Sequence, residues 1–337
     1  MAKTAFATDN ALTKKAWDEK LYRDTIKEAY FARFMSDSNR SIIQTKEELT
    51  KSKGDNITFG IRMRLKGAGV TSGQTLEGNE EKLTTHDFGL SLERYRHAVR
   101  DNGSLDRQRT MFSIDTEAVD AIKDWGSEKV DQLCMDALTT SPTRYFSIQS
   151  GTVTTSTTDP SASVTASDKI TPKFISQVKT WALTGGNRTQ TPLRPIRING
   201  KNYFILLLHP DSMFDIKLDS TFAQARRDAL ERSKDNPIFT GSEAIWDGVV
   251  IHEHENVPIA TTWGGASVAG SKSIFMGAQS LVWAWGERPK VVSATFDYEE
   301  EHGFGWGMTS KAGKPVFNSK DFGSIACYTA RTQISDA

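Results

Sequence analysis

The sequence predicts a mixed α+β fold, and three features carry that prediction. Residues 115–139 place apolar side chains at helical spacing, residues 57–65 alternate between apolar and polar, and the C-terminal half breaks into short apolar runs. A length of 337 residues suggests about two domains of roughly 100–200 residues and a core that needs neither disulfide nor metal.

Residues 1–10 are mostly small and polar and read as an arm. Residues 11–36 predict an amphipathic helix, with Leu12, Ala16, Trp17, Leu21, Ile26, Tyr30 and Phe34 at mostly four- and five-residue spacing. That aromatic stripe must cover something, either its own body or a neighbouring chain. In the next element Ile57, Phe59, Ile61, Met63 and Leu65 face one way and Thr58, Arg62 and Arg64 the other, a half-buried strand of about 30 Å. A second extended stretch runs from Leu83 to Val99, with Phe88, Leu90 and Leu92 on one side. Gly67, Gly69, Gly73 and Gly78 mark the polar connection between them, roughly seventeen residues long, so the pair reads as a projecting hairpin.

In the helix over 115–139, Ala118, Ala121, Ile122, Trp125, Val130, Leu133, Cys134 and Ala137 form one stripe about 37 Å long. Asp115 is the expected N-cap, with Glu117 favourable in the first turn. Gly126 costs about 1 kcal/mol relative to Ala and suggests close approach of another backbone. Ser141-Pro142 ends the pattern. Eleven of the nineteen residues 150–168 are Ser or Thr, which reads as a boundary, a surface loop or a flat polar β segment. Thr171-Pro172 opens a helix lined by Phe174, Ile175, Val178 and Trp181, and Gly185-Gly186 stops it. Tyr203 to Leu208 predicts a buried strand, 211–234 is mostly helical up to Asn236-Pro237, and Ile245 to Val257 is extended. Ile274 to Trp285 is apolar and aromatic, and 291–337 reads as short strands broken by Gly and Pro.

Composition narrows the function. Lys plus Arg number 42 and Asp plus Glu 42, so the chain carries no large positive field to grip nucleic acid and no long-range self-repulsion to oppose association. The sequence holds no apolar run of ~18 residues, so no membrane-spanning helix is expected, and Met1–Asn10 has no secretory pattern. Cys134 and Cys327 form no CxxC and read as buried thiols in a reducing compartment.

Chemical motifs are sparse. His252 and His254 share one strand face and begin a metal site, but a third ligand is missing; the plainer reading is a solvated strand end. Residues 265–272 resemble a phosphate loop and a nucleophile elbow and satisfy neither, because Ser271 displaces Lys272 from the second Gly and Ala269 stands where the elbow wants Gly. Asp297, Glu299, Glu300 and Glu301 form an acidic cluster without a basic or aromatic pocket, suited to a solvated face or an intersubunit strip. Arg62, Arg64, Arg94, Arg96 and Arg100 form the best basic stripe, fit to pair with carboxylates. Trp283 and Trp285 share a strand face and read as core. No group assembles nucleophile, base and stabiliser, so the residues favour a structural protein over an enzyme; a hydrolase would need a hidden site around His252, His254 and Glu299.

Several stretches are recognisable in order: Leu76–Glu81, Tyr95–Val99, Asn236–Gly241, Trp246–Val250, Gly277–Gln279, Ala284–Gly286 and Lys320–Gly323. Over about residues 15–325 their set resembles the major capsid protein family of N4-like tailed bacteriophages. The resemblance implies the tailed-phage capsid fold: an arm (1–53), an extended hairpin loop (54–99), a peripheral domain (100–168) with its spine helix over 113–140, a mostly axial domain (169–286), and a tail (287–337) returning to the peripheral part. It implies self-assembly into hexamers and pentamers of an icosahedral shell around double-stranded DNA, with no sequence-specific binding, no cofactor or metal and no membrane. Portal and decoration proteins are the expected further partners. The chain would be made in the host cytoplasm and reside in the virion; a nanocompartment shell protein of the same fold is the alternative. The implied intersubunit residues are Phe59, Ile61, Arg62, Met63, Arg64, Leu65, Glu77, Glu80 and Glu81 on the loop and Trp17, Leu21 and Tyr22 on the arm. Lys66 and Asn318 are the nearest counterparts of the crosslinking pair that some such capsids use.

Overall fold

The long helix comes first because the rest of the molecule is built around it. In the computed structural model, which describes residues 29–47, 54–62, 67, 69–82, 85–110, 113–188, 190–198, 200–228, 244–263 and 267–333, it spans Ile114–Thr139. Its N-cap is Ser113, whose Oγ accepts the Thr116 N–H at 3.4 Å, so Asp115 sits inside the first turn instead of capping it. Ala118, Ile122, Gly126, Val130, Cys134 and Leu138 recur every four residues and are buried. That seam lies on a five-stranded sheet ordered Met35–Ser36, Ile43–Lys46, Leu281–Phe296, Glu301–Gly313, Glu93–Arg100.

Within the tail, 301–313 is one long strand where short runs were expected, and the short strands Val316–Phe317, Lys320–Asp321 and Ser324–Ala330 follow it. Glu301–Gly313 pairs antiparallel with Leu281–Phe296 on one side and with Glu93–Arg100 on the other. Its glycines obey the period of two: Phe304, Trp306 and Met308 pack with the helix core, while Gly303, Gly305 and Gly307 take the opposite face. Glycine here marks a face, not a break. Trp306 reaches the helix at Gly126, where a Cβ would stand 2.6 Å from its ring. The close approach is therefore an indole, not a backbone.

The hairpin packs on the other face of this sheet. Asn56–Arg62 pairs antiparallel with Thr85–Ser91, and Ile57, Phe59 and Leu90 are buried against Val282 and Ala284. The return stretch does not run straight to Val99. It divides at Leu92, and Glu93–Arg100 enters the five-stranded sheet. The layers are helix, sheet and hairpin.

A nine-stranded mixed sheet forms the second half. Its main path is Ala244–Trp246, Val249–Glu253, Lys201–Leu208, Val268–Met276, Ser324–Ala330, Tyr145–Gln149, Thr152–Ser156, with Ile259–Trp263 and Ile196–Ile198 attached at the side. Helices Pro172–Arg188, Pro210–Leu218 and Ser220–Asp228 contribute Phe174, Val178, Met213 and Phe222 to the core on one face. Phe204, Leu206 and Leu208 join that core, while Tyr203, Ile205 and Leu207 join the core of the long helix. Burial on both faces explains the continuous apolar run. Ser324–Ala330 lies inside this sheet, so the tail does not return to the helix side as one piece.

Other local expectations change as well. Of the helix over 11–36, the described part is a 3₁₀ turn, Tyr30–Phe34, followed by a short strand, Met35–Ser36; residues 11–28 lie outside the described residues. Of the readings of the Ser/Thr-rich stretch, the β segment holds over Thr152–Ser156, which pairs with Tyr145–Gln149. Its closing loop is organised by Asp168, 0 % exposed, which accepts N–H bonds from Ser150 (3.0 Å), Gly151 (2.8 Å) and Thr165 (2.8 Å) and the Thr165 hydroxyl at 2.7 Å. The 211–234 segment is two helices parted at Asp219, whose Oδ1 accepts the N–H groups of Thr221 and Phe222; residues 229–243 lie outside the described residues. The Gly/Ser turn expected at 265–272 becomes strand from Val268 on, and Gly270 makes room for the Trp263 ring.

Candidate assembly surfaces

The predicted loop contacts divide sharply by burial. Phe59 is 1 % and Ile61 2 % exposed within the single chain, so neither has side-chain area left for a neighbour. The described part of the apolar row expected to lie on an adjacent subunit is used at home, because Val282 and Ala284 offer an apolar patch beneath Ile57 and Phe59. Arg62 ends the strand opposite Thr85. Met63, Arg64, Leu65 and Lys66 lie outside the described residues, as do Trp17, Leu21 and Tyr22 of the arm.

The tip is the reverse case. Residues 71–82 are exposed throughout, including Leu76 at 64 %. Glu80 accepts the Gly78 N–H at 2.8 Å, and Glu81 accepts the Gly67 N–H at 2.5 Å, so two of the three predicted glutamates also order their own loop. Glu77 is exposed on a turn closed by Asn79 N–H to Leu76 O at 3.0 Å.

Of the basic stripe, Arg94, Arg96 and Arg100 sit on Glu93–Arg100 in the five-stranded sheet, whereas Arg62 ends a strand of the hairpin and Arg64 lies outside the described residues. Arg94 faces Glu287 at 3.9 Å, and Arg100 pairs with Glu301 and lies over the Phe296 ring at 4.3 Å. Of the acidic cluster, Glu301 pairs with Arg100 and Glu300 Oε1 accepts the Ser104 N–H (2.8 Å) and hydroxyl (2.7 Å).

A second exposed surface was missed at the sequence level. The hairpin joining Leu281–Phe296 to Glu301–Gly313 extends past the strand Ile43–Lys46, which pairs with Leu281–Ala284 and no further along, and exposes Val291 (38 %), Val292 (54 %), Phe296 (41 %) and Tyr298 (103 %). Adjacent Val291 and Val292 point to opposite faces of their strand, and both remain partly exposed. Asp297, Tyr298 and Glu299 turn the chain with φ of 46°, 53° and 73°, three successive non-glycine residues in the left-handed region. The signal available was a β-branched pair and a Phe beside four acids in five residues, which is an unusual place for apolar side chains.

The candidate catalytic residues do not converge. His252 is 0 % exposed, so the HEHEN stretch is no solvated strand end; its ring and that of His254 meet Tyr30 at 6.0 Å and 4.5 Å. Glu299 lies on the exposed turn of the other sheet. Among the described residues, the group of three possible ligands is Asp101, Asp115 and His302, apart from both histidines. There His302 Nδ1 lies 3.3 Å from Asp115 Oδ2, and Asp101 accepts the His302 N–H and pairs with Arg107. Burial pushes the Asp101 carboxyl up, but the His302 N–H and the Arg107 guanidinium outweigh it and hold the group below the usual carboxylate range. The arrangement ties the start of the long helix to the sheet. Trp283 is fully buried with Trp285 at 5.1 Å, both in the core. Cys134 and Cys327 are free and buried, and burial pushes both thiols up, away from the reactive thiolate.

Comparison with known proteins places this architecture. The chain is 27 % identical to the major capsid protein of Pseudomonas phage KPP25, over 97 % of each chain. Its fold is similar to the capsid of Ralstonia phage GP4 (TM-score 0.82, 24 % identity, 100 % of both chains). It is also similar to the capsid asymmetric unit of cyanophage Pam1 (TM-score 0.74, 20 % identity, 98 % of this chain and 99 % of that one). Residues 5–332 match the family described as phage capsid protein, and the chain belongs to that family.

Proposed function

We propose that this major capsid protein closes the icosahedral phage head as hexamers and pentamers, in the manner of the N4-like tailed phages, with its arm and hairpin tip lapping neighbouring subunits. The protein is a structural component of the virion, not an enzyme. The long helix and five-stranded sheet act as the peripheral domain, and the nine-stranded sheet with its helices as the axial domain. The shell encloses double-stranded DNA without reading its sequence, as the balance of 42 cationic and 42 anionic residues allows. Portal and decoration proteins meet the finished shell. The placement among N4-like phages rests on the colinear motifs quoted above.

The observation that carries the lapping role is the contrast within one hairpin. Its base is locked by Ile57, Phe59 and Leu90, and its tip is exposed from residue 71 to 82. A rigid base gives an exposed tip a defined reach, and many modest contacts repeated around a shell add up. The test is electron microscopy of the protein expressed alone, beside Arg62→Glu and the triple variant Glu77→Lys, Glu80→Lys, Glu81→Lys. Closed particles from the parent chain and folded, unassembled subunits from the variants are expected; normal shells from both variants would refute the role.

A further inference from the structure

Strand Glu93–Arg100 is an edge of the five-stranded sheet, paired on one side with Glu301–Gly313. Tyr95 and Val99 turn to the core of the long helix, so Arg94, Arg96, Ala98 and Arg100 share the opposite face. Lys290 joins them, because it stands across Gly307 from Arg96. These four cations meet two acids: Glu287, shared by Arg94 at 3.9 Å and Lys290, and Glu301, paired with Arg100. Arg96 is exposed and makes no ion pair among the described residues. A Cβ on Gly305, beside Ala98, would meet nothing nearer than 3.8 Å, so the face is uncovered there. The hairpin tip carries the complementary charge, with Glu77, Glu80 and Glu81 against Lys82 in the exposed stretch 71–82. Glu80 and Glu81 each give one oxygen to their own loop, whereas Glu77 makes no hydrogen bond or ion pair among the described residues.

Tip and face point away from each other within one chain. Leu92 faces Gly286, Leu90 faces Gly313, and the His86 ring meets that of Phe317 at 4.6 Å, so the hairpin arms run toward Phe317. Arg94 to Arg100 run the other way, opposite Thr309 to Gly303. We propose that the face of Arg94, Arg96 and Arg100 receives the hairpin tip of a second copy of this chain, with Glu77 on Arg96 and Leu76 over Ala98. Resting on the lapping role of the tip, this contact supplies its receiving surface. Charge sets the partner, since an acidic tip meets a face with twice as many cations as acids. Tip and face are different patches, so the contact is head-to-tail and repeats from copy to copy into a closed ring.

A disulfide trap tests this on the full chain. Leu76→Cys with Ala98→Cys should give a covalent ladder ending in rings of five and six on a non-reducing gel. Native Cys134 and Cys327 are buried and do not compete. Either single variant alone should give no dimer, and a mixture of the two should give dimers and nothing longer. An intrachain disulfide, no disulfide at all, or a dimer from one single variant would overturn the proposal. Charge reversal reads the same contact independently: Arg96→Glu and Glu77→Lys should each weaken it about fivefold, seen as lost particle yield, and together restore it. A defective Glu77→Lys chain that Arg96→Glu does not rescue would overturn the receiving face and leave the lapping role standing. Normal shells from both Arg62→Glu and the triple Glu→Lys variant would remove the lapping role and this contact with it. DNA binding by the unassembled subunit that Arg96→Glu abolishes and Glu77→Lys does not restore would give the face to phosphates and overturn the proposal.

Discussion

Replacing Gly126 by Ala should destabilise the subunit, although alanine is the better helix former. An ideal Cβ at this position would lie 2.6 Å from Cε2 and 2.8 Å from Cζ2 and Nε1 of Trp306. Carbon atoms rest about 3.5–4.0 Å apart, so the indole would have to retreat by about 1 Å. It has nowhere to go. Trp306 is 5 % exposed, and the Trp125 ring stands edge-on to it at 5.4 Å and 87°. Overpacking of this kind costs about 1–3 kcal/mol, the helix gains about 1 kcal/mol from losing glycine, and the net is a loss of about 1 kcal/mol. Urea unfolding of the unassembled subunit measures it as a lower midpoint at unchanged slope. The decisive arm uses Trp306→Leu as the background. There the obstruction is smaller, so Gly126→Ala should raise stability, and the sign of one substitution inverts with the partner. A Gly126→Ala chain more stable than its parent would refute the packing account.

Phe59→Ala should cost about 3–5 kcal/mol already in the unassembled subunit, since the ring is buried in its own chain; a loss seen only in assembly would contradict that. Burial pushes the Asp168 carboxyl up, but the Thr165 hydroxyl and the N–H groups of Thr165, Gly151 and Ser150 outweigh it and hold the group below the usual range. Its folded pKa is depressed, so its contribution is full above the unfolded value of about 3.9 and is lost as pH falls through the folded one. Asp168→Asn should therefore cost about 2–3 kcal/mol near neutrality and flatten the acid limb of unfolding free energy against pH. Ser113→Ala should cost about 1 kcal/mol by removing the cap, whereas Asp115→Ala should leave the cap intact, compared by thermal melting. Val292→Glu should change subunit stability by under about 0.5 kcal/mol yet reduce particle yield by sedimentation, because the side chain is exposed in the free subunit.

What the sequence displayed was local. The helix at 114–139 and the paired arms of the hairpin follow from a period of 3.6 or 2 in their own residues, and the strand at 201–208 from its continuous apolar run. What it concealed depended on partners distant in the chain. Ile57 and Phe59 look ready for another subunit until Val282 and Ala284, more than two hundred positions away, are placed beneath them. The Gly-rich stretch 303–307 reads as broken until Glu93–Arg100 and Leu281–Phe296 supply ladders on both sides. His252 looks solvated until the Tyr30–Phe34 turn covers it. The same limit applies to the surfaces: an exposed apolar pair such as Val291 and Val292 is visible only once Ile43–Lys46 is known to pair with Leu281–Ala284 and no further along that strand.

The burial of the hairpin base changes the chemistry expected of the lapping contact. An apolar row laid on a neighbour would make assembly hydrophobic and nearly indifferent to salt. With Ile57, Phe59 and Leu90 spent inside the chain, the tip offers Glu77, Glu80, Glu81 and backbone turns, with Leu76 as its large apolar side chain among the described residues. Attraction there must come largely from charge, across a partly wet interface where the screening length falls from about 10 Å at 0.1 M salt to about 3 Å at 1 M. On the proposed assembly, particle formation should therefore weaken as salt rises, and the Glu→Lys triple variant should lose most of that dependence along with most of its yield. The apolar hairpin at 291–298 has the opposite signature, because high salt strengthens burial of Val292 and Phe296 when the anion is sulfate. Light scattering of assembly in chloride and in sulfate separates the two surfaces: a chloride-sensitive step assigns growth to the charged tip, and assembly indifferent to chloride would return the lapping role to apolar contacts.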